Sequence, residues 1–259
     1  MSLIRINVHQ HAGTIILDRP EKRNALTRAM LGELNQALGD LHLERRVRAV
    51  VLTGAGPAFC AGMDLQEMLA AGREENAHQQ WRDDAALYHD LLETMWRFPK
   101  PLIAAVNGPA LAGGAGLVLG CDIVLAAGEA TFGLPEPLRG IVAGMVAPLL
   151  AFRLGGGQAA RLLMSAATID AAEAHRIGVF HEIVSADHLW PRAVELAEQC
   201  ARCAPEALQL TKRMLNEIIA EHLPTLLTAG AAVSATARTT EAAAEGLAAF
   251  LEKRQPKWP

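Results

Sequence analysis

The chain has 259 residues, enough for one large domain or one domain with an appendage. Hydrophobic residues make up 51% but aromatic ones only 4%, so the core must be built from Ala, Leu, Val and Ile. Lys and Arg number 24 against 28 Asp and Glu, a net charge of −4, which argues against a nucleic-acid binder with its basic stripe.

Residues 1–6 lack the long apolar core of a signal peptide. Residues 3–8 alternate as a strand, residues 11–13 read as a turn, and residues 14–17 return to make a hairpin. His9 and His11 flank that turn and read as solvated rather than as a metal pair. Residues 18–24 are a polar loop. Thr27 then caps a helix expected to reach about Leu43, with Met30, Leu31, Leu34, Ala37, Leu38 and Leu41 on one face. Residues 48–53 are a buried strand, broken by the glycines and proline of 54–57. Residues 59–65 lead into a second helix start with Asp64 as its cap. The segment 66–96 is helical but polar, and reads as a mobile cover more than as core. Residues 98–101 end it.

Residues 102–106 are again a buried strand. They feed the stretch 107–122, which bends at Gly108-Pro109 and enters small residues at helical spacing. A strand, a glycine-rich turn and a helix in succession leave free backbone N–H groups at the positive end of a helix dipole. Three readings fit: a site for a developing oxyanion, a nucleotide-phosphate site, or simply close helix–strand packing. The phosphate reading is weakened because no Lys-Ser/Thr follows residues 112–116 and the G-x-G-x-x-G spacing is missing. Residues 101–121 carry no charge and are long enough to span a bilayer, but Asn107, Pro109 and five glycines divide them into two short elements.

Residues 123–127 read as a strand, 130–141 as a loop, 144–154 and 158–164 as helices, and 169–178 as a short helix. Residues 179–184 are a last strand, and 186–254 are helical, punctuated at Pro205 and Pro224. The expected class is α/β, with a core over residues 1–190 and a C-terminal α-helical region over 191–259. Of the four cysteines, Cys60, Cys121, Cys200 and Cys203, the last two form a C-x-x-C with no partner pair at zinc spacing. No metal is expected, and a reduced, cytoplasmic compartment fits.

No nucleophile motif is present. What remains are two glycine-rich junctions, at Gly62-Met63 and Ala112-Gly113, each able to present a backbone N–H. Two converging donors stabilise an enolate or tetrahedral oxyanion. Glu136 stands between Pro135 and Pro137 in a loop with Phe132, Leu134, Leu138 and Ile141. A carboxylate in that company is expected to have a raised pKa suited to proton shuttling; the plainer reading is an exposed loop acid.

Four pieces, residues 18–26, 58–65, 107–122 and 130–136, resemble in order the motifs of the crotonase (enoyl-CoA hydratase/isomerase) superfamily. Residues 171–179 and 250–254 extend the resemblance over most of the chain. It implies a right-handed spiral of β-β-α units followed by a helical trimerisation region, assembled as a homotrimer or dimer of trimers. It implies an acyl-CoA thioester as partner, with no cofactor beyond the coenzyme A of the substrate, and neither nucleic acid nor membrane. Met63 and Gly113 would be the oxyanion donors and Glu136 the general acid/base. Lys22, Arg23, Ala61, Asp64, Phe250 and Lys253, the last from a neighbouring subunit, would meet the coenzyme A.

The chain departs from the family at two places. Many hydratases carry a glutamate where this chain has Gly116, and dienoyl isomerases carry an acid where it has Gly144. The resemblance therefore implies a one-carboxylate member, with double-bond isomerisation slightly favoured over hydration. The competing expectation is a non-catalytic acyl-CoA-binding scaffold. Glu67, Asp83, Asp84 and Tyr88 are the groups of the polar segment available to replace the missing acid.

Overall fold

The computed structural model describes residues 2–258 apart from residue 73. Met1, and Arg73 of the polar segment, lie outside the described residues. β1 (Ile4–His9) and β2 (Ala12–Leu17) form the expected hairpin, with Ile4 opposite Leu17 and His9 opposite Ala12. The turn falls at Gln10 and His11, earlier than residues 11–13, because Gln10 takes the left-handed conformation (φ 50°) and Gly13 pairs as a strand residue. α1 (Arg28–Leu43) starts at Thr27, whose side chain accepts from Met30 N at 3.2 Å, and all its expected apolar positions are buried.

β3 (Ala49–Gly54), α2 (Leu65–Ala71), α3 (Ala77–Arg97) and β4 (Leu102–Val106) follow. β5 (Ala110–Leu111), α4 (Gly113–Gly120), β6 (Ile123–Ala127) and β7 (Thr131–Gly133) come next. Thus the uncharged run 101–121 is two strands and a helix, all buried or nearly so. α5 (Val146–Ser165) is bent at Gly155 (φ 77°), the break expected between its two halves. β8 (Thr168–Asp170), α6 (Ala171–Arg176) and β9 (Glu182–Val184) complete the sheet-forming part.

β1, β2, β3, β4, β6 and β9 make one sheet in that order, parallel except for the first hairpin, and β5, β7 and β8 make a second. The chain crosses from β4 to β5 and from β6 to β7 and closes each crossing with a helix, which is the β-β-α course expected. The central strands are apolar on both faces because both are covered. Val50 and Leu52 enter the main core with α1 and α3, while Val51 and Ala49 enter a smaller cluster with Leu189, Ala193 and Ala197 of α7 (Ala186–Ala201). α7 runs across residue 190 and packs on β3, β4 and β6, so by packing residues 191–201 go with the sheet rather than with the helices that follow.

The segment 66–96 is not only a cover. Ala85, Tyr88, Leu91, Leu92, Met95 and Trp96 of α3 are all buried in the main core. Mean polarity hides this, because the charges of α3 fall on the opposite stripe of an amphipathic helix. α8 (Pro205–Arg213) continues into a π-helical turn, Met214–Ile219, before α9 (Leu223–Ala237) and α10 (Glu241–Leu251). α9 packs on α3 and α5, and α10 packs on α2 and on the turn Glu136–Arg139. Trp96 donates to Asn216 O at 3.0 Å and Asn216 returns a bond to Trp96 O at 2.9 Å. No single helix among the described residues is long and apolar enough to cross a membrane; α8 with its π-helical turn and α9 pass that test only as a pair, bent by 64°.

The C-terminal helices are pinned to the sheet by Lys212, whose Nζ lies 2.7 Å from Asp122 Oδ2. Asp122 also accepts from Leu102 N at 2.8 Å. Lys212→Ala leaves that carboxylate uncompensated and should cost roughly 2–4 kcal/mol, read as a lower midpoint of urea denaturation.

Candidate active site

Two loops meet at the candidate oxyanion site. The first, residues 54–64, is short of regular structure and is held by side chains instead. Asn24, fully buried and in the left-handed conformation (φ 55°), donates to Ala55 O and Ala58 O at 2.9 Å and to Phe59 O at 3.2 Å. Its Oδ1 accepts from Arg19 N at 2.9 Å. Asn107, at the end of β4, accepts from Gly54 N at 3.1 Å and donates to Gly56 O at 3.0 Å. The second loop is tied to the first by a parallel bridge: Cys60 N donates to Pro109 O at 3.1 Å and Leu111 N to Cys60 O at 2.9 Å.

These bonds account for most backbone groups of residues 60–64. Ala61 N reaches Arg23 O, Leu26 N reaches Gly62 O, and Asp64 N reaches Leu26 O. Among the described residues, no acceptor pairs with the N–H of Met63 or of Gly113, the first residue of α4. The two junctions abut. A methyl group added at Gly62 (φ 94°) would lie 2.7 Å from Ala112 Cβ and 3.2 Å from Gly113 N. Ala112 itself is held at φ 52°, a backbone strain of about 1–3 kcal/mol, at the N-cap position of α4, and Gly113 after it lines the cavity. Both expected donors therefore line one cavity of about 270 Å³.

Glu136 lines the same cavity. It opens a 3-10 turn after Pro135 and is 7% exposed, with Oε2 lacking any hydrogen-bond partner. Burial pushes its carboxyl from 4.5 up to about 7. The exposed-acid reading is thereby excluded, and among the lining residues Glu136 is the only carboxylate.

Both positions that lack an acid are closed by neighbours. A Cβ at residue 116 would overlap the Tyr88 hydroxyl, which donates to Gly113 O at 2.5 Å. Burial, first of all, raises the Tyr88 phenol well above its ordinary pKa, so it stays a neutral donor. A Cβ at residue 144 would overlap Gly230 O and crowd Ser234 Oγ, both on α9. Of the acids offered by the polar segment, Glu67 and Asp84 are engaged by Arg28, Asp83 bonds the Gln79 side chain at the surface, and only Tyr88 reaches the cavity wall.

Arg23, Ala61 and Phe250 also line the cavity, and the Phe250 is the chain's own. Arg139 lies 4.2 Å above its ring. Lys22 is exposed, 3.4 Å from Gln66 Oε1, and Lys253 is exposed just past α10; neither is among the lining residues. Asp64 is turned to the scaffold. Its Oδ1 caps α2 through Gln66 N and Glu67 N, and its Oδ2 meets Arg19 at 2.7 Å. Arg139, Ser234 and Arg238 line the cavity without having been singled out in the sequence: Arg139 is only three residues past Glu136 but carries no motif of its own, and Ser234 and Arg238 come from α9, far along the chain. Among the described residues, one group of donors is spaced for a cation, His89, Asp90 and Glu93 on the surface of α3, and none of them lines the cavity.

The sequence model of a family described as enoyl-CoA hydratase/isomerase matches residues 8–259. A protein named putative enoyl-CoA hydratase from Thermus thermophilus is 40% identical over 248 residues, covering 96% of this chain and 97% of its own length. A short-chain-enoyl-CoA hydratase from Clostridium acetobutylicum is 35% identical over 243 residues, covering 93% of this chain and 91% of its own. The crystal structure of an enoyl-CoA hydratase/isomerase from Xanthobacter autotrophicus Py2 superposes with a TM-score of 0.87 at 32% identity, covering 97% of this chain and 92% of that one.

Two outcomes follow from the geometry. Asn24→Ala removes one side chain from four backbone groups; it should lower stability by about 2–4 kcal/mol in thermal or urea unfolding. Glu136 has its folded pKa raised from 4.5 to about 7, so its contribution to stability is fully present below 4.5 and is lost as pH rises through 7. Glu136→Gln should therefore be more stable than the parent by up to ~3 kcal/mol near pH ~8 and equally stable near pH ~4, compared by unfolding at both.

Proposed function

The chain belongs to the enoyl-CoA hydratase/isomerase family, and from that membership we propose that it polarises an enoyl-CoA thioester between two backbone N–H groups and moves a proton with Glu136. The observation that carries this reading is the meeting, in one apolar-walled cavity, of the free N–H groups of Met63 and Gly113 with a buried carboxyl whose Oε2 has no partner.

The chemistry runs as follows. The thioester oxygen accepts from Met63 and Gly113, and the positive end of α4 adds to their field. Ionised Glu136 removes a proton from the carbon next to the carbonyl of a substrate whose double bond lies one position further out. The electron pair delocalises into a dienolate whose oxygen charge the two N–H groups hold. Glu136, now protonated, returns that proton to the far end of the dienolate. The double bond ends in conjugation with the thioester, and the carboxylate is regenerated. A pKa of about 7 places Glu136 near the optimum for both halves of that transfer.

One carboxylate is sufficient for this shift. Hydration of a conjugated enoyl-CoA asks for a group to orient water as well, and losing the second acid costs several kcal/mol of barrier if nothing replaces it. The crowding at Gly116 and Gly144 favours isomerisation on this ground. Hydration is the second reading, favoured by the names of the relatives from Thermus thermophilus and Clostridium acetobutylicum. In that case the Tyr88 hydroxyl, whose proton is donated to Gly113 O, would orient the water by accepting from it.

Arg23, Ala61 and Phe250 would receive the coenzyme A, with Lys22 and Lys253 on the solvent side for its phosphates. Self-association as a homotrimer, or as a dimer of trimers, is part of this reading. The exposed Leu210, Met214, Leu215, Ile218 and Ile219 of α8 and its π-helical turn support it.

Incubation with unconjugated and conjugated enoyl-CoA esters, followed by mass analysis, separates the two readings: isomerisation leaves the mass unchanged, and hydration adds one water. Turnover of neither would leave the acyl-CoA-binding scaffold. Glu136→Gln should lose at least about a thousandfold in kcat while keeping acyl-CoA affinity within a few fold. The parent's kcat/KM should climb with pH and level off above about 7, since the free enzyme needs Glu136 ionised.

A further inference from the structure

The cavity wall is apolar over most of its extent, through Met63, Leu65, Met68, Ile141, Val142 and Met145. Besides Glu136, one charged group interrupts it away from solvent. Arg238, at the end of α9, lines the cavity with a side chain only 7% exposed. Ser234 lines it too, one helical turn earlier on the same face of α9. Arg23, by contrast, is exposed, and Arg139 is half-buried and covers Phe250.

The partners of Arg238 do not use it up. A guanidinium has five N–H donors in a fixed fork. Among the described residues its one acceptor is Asp84 Oδ2, at 3.5 Å from Nη1. Asp84 is already committed elsewhere: Arg28 grips both its oxygens, at 2.5 and 3.1 Å, and Gln80 bonds Oδ1 at 2.9 Å. Arg28 and Arg238 thus compete for one carboxylate, and Arg28 holds the short bonds. Burial pulls the Arg238 guanidinium below its ordinary pKa, with the Asp84 attraction only partly opposing it and Arg28 adding to it. Among the described residues no Arg238 nitrogen is sealed without a partner, so the donors not used by Asp84 are reachable from the cavity, where a ligand acceptor can complete a largely desolvated cation.

We propose that Arg238, with Ser234 beside it, is a subsite for a carboxylate at the far end of the acyl group, so that the preferred substrate is a monothioester of an unsaturated dicarboxylic acid. The inference rests on the acyl-CoA reading above and specifies the acyl group. Arg238 matches a carboxylate with two parallel N–H···O bonds. A methyl-ended chain would leave that fork unpaired, which is the stronger source of discrimination. Arg238 takes no part in the proton transfer.

The test uses the full-length protein and matched saturated thioesters, which bind without reacting. Succinyl-, glutaryl-, adipyl- and pimelyl-CoA are compared by calorimetry with the methyl-ended thioesters of equal length. At the best length the parent should bind the carboxylate-ended thioester at least about tenfold tighter. Arg238→Gln should erase that gap by weakening the carboxylate-ended ligand alone, and Arg238→Lys, which keeps the charge without the fork, should retain part of it. Equal affinity of the parent for both series at every length overturns the proposal. So does a Gln variant that folds and weakens both series alike. If the Gln variant does not fold, the parent's preference and the Lys variant decide. Turnover of matched enoyl esters is followed separately: turnover without a carboxylate preference removes the subsite and keeps the enolate chemistry, whereas a carboxylate preference in binding without turnover of any ester does the reverse.

Discussion

The close approach of Gly62 to Ala112 sets the geometry on which the rest of the site depends. Two loops, one after β3 and one after β4, come within van der Waals distance, and the N–H groups of Met63 and Gly113 are among those left without an acceptor among the described residues. A loop cannot normally be held rigid with free donors, because buried backbone groups seek partners. Here most of the neighbouring groups are satisfied by other means. Asn24 and Asn107 take up the carbonyls of the first loop, and the Cys60–Ala110 bridge locks it to the second. The positive φ angles at Gly62 and Ala112 stand immediately before Met63 and Gly113, both of which line the cavity. The strain at Ala112 and the desolvation of Glu136 are both stability costs, and both fall at the site, where charge has to be stabilised or moved.

The parallel sheet is what makes this arrangement possible. β3 and β4 are adjacent and parallel, so their C-terminal ends lie side by side and their two loops emerge together. α4 starts directly from the second loop, so its dipole points along the same line. The second sheet then returns the chain through β7 to the turn that carries Glu136. Donors and acid thus come from three successive crossings of one spiral. α10, resting on that turn and on α2, closes the cavity from the C-terminal side and brings Phe250 into it. The buried face of α3 supplies Tyr88, and α9 supplies Ser234 and Arg238, so helices distant in sequence shape the cavity.

Much of this was legible in residue order. Thr27 and Asp64 are side-chain caps at helix starts, which local hydrogen bonding alone specifies. The continuous apolar runs at β3 and β4 announce strands covered on two faces. The glycine-rich junctions and the proline-flanked Glu136 picked out three residues that line one cavity, since each is a short-range feature with a local chemical signature. Asp64 shows where that kind of reading overreaches. Its motif marked it for coenzyme A, but its carboxylate is spent on the cap and on Arg19. The segment 66–96 erred the other way: its many charges suggested a cover, while one stripe of α3 is core.

By itself, then, the sequence determined the order of strands and helices, the two N–H junctions, the acid at Glu136 and the lack of side chains at Gly116 and Gly144. These are properties of neighbouring residues and of periodicity. Only the tertiary structure decided what fills those two positions: the Tyr88 hydroxyl against Gly116, and the backbone of α9 against Gly144. It alone raised the Glu136 pKa, because desolvation depends on every atom around the carboxyl and not on its two prolines. It alone put an under-partnered arginine in an apolar wall, since the competition of Arg28 and Arg238 for Asp84 joins three residues that no local pattern connects. Contacts between residues far apart along the chain leave no periodic trace, and they decide which side chains surround the cavity.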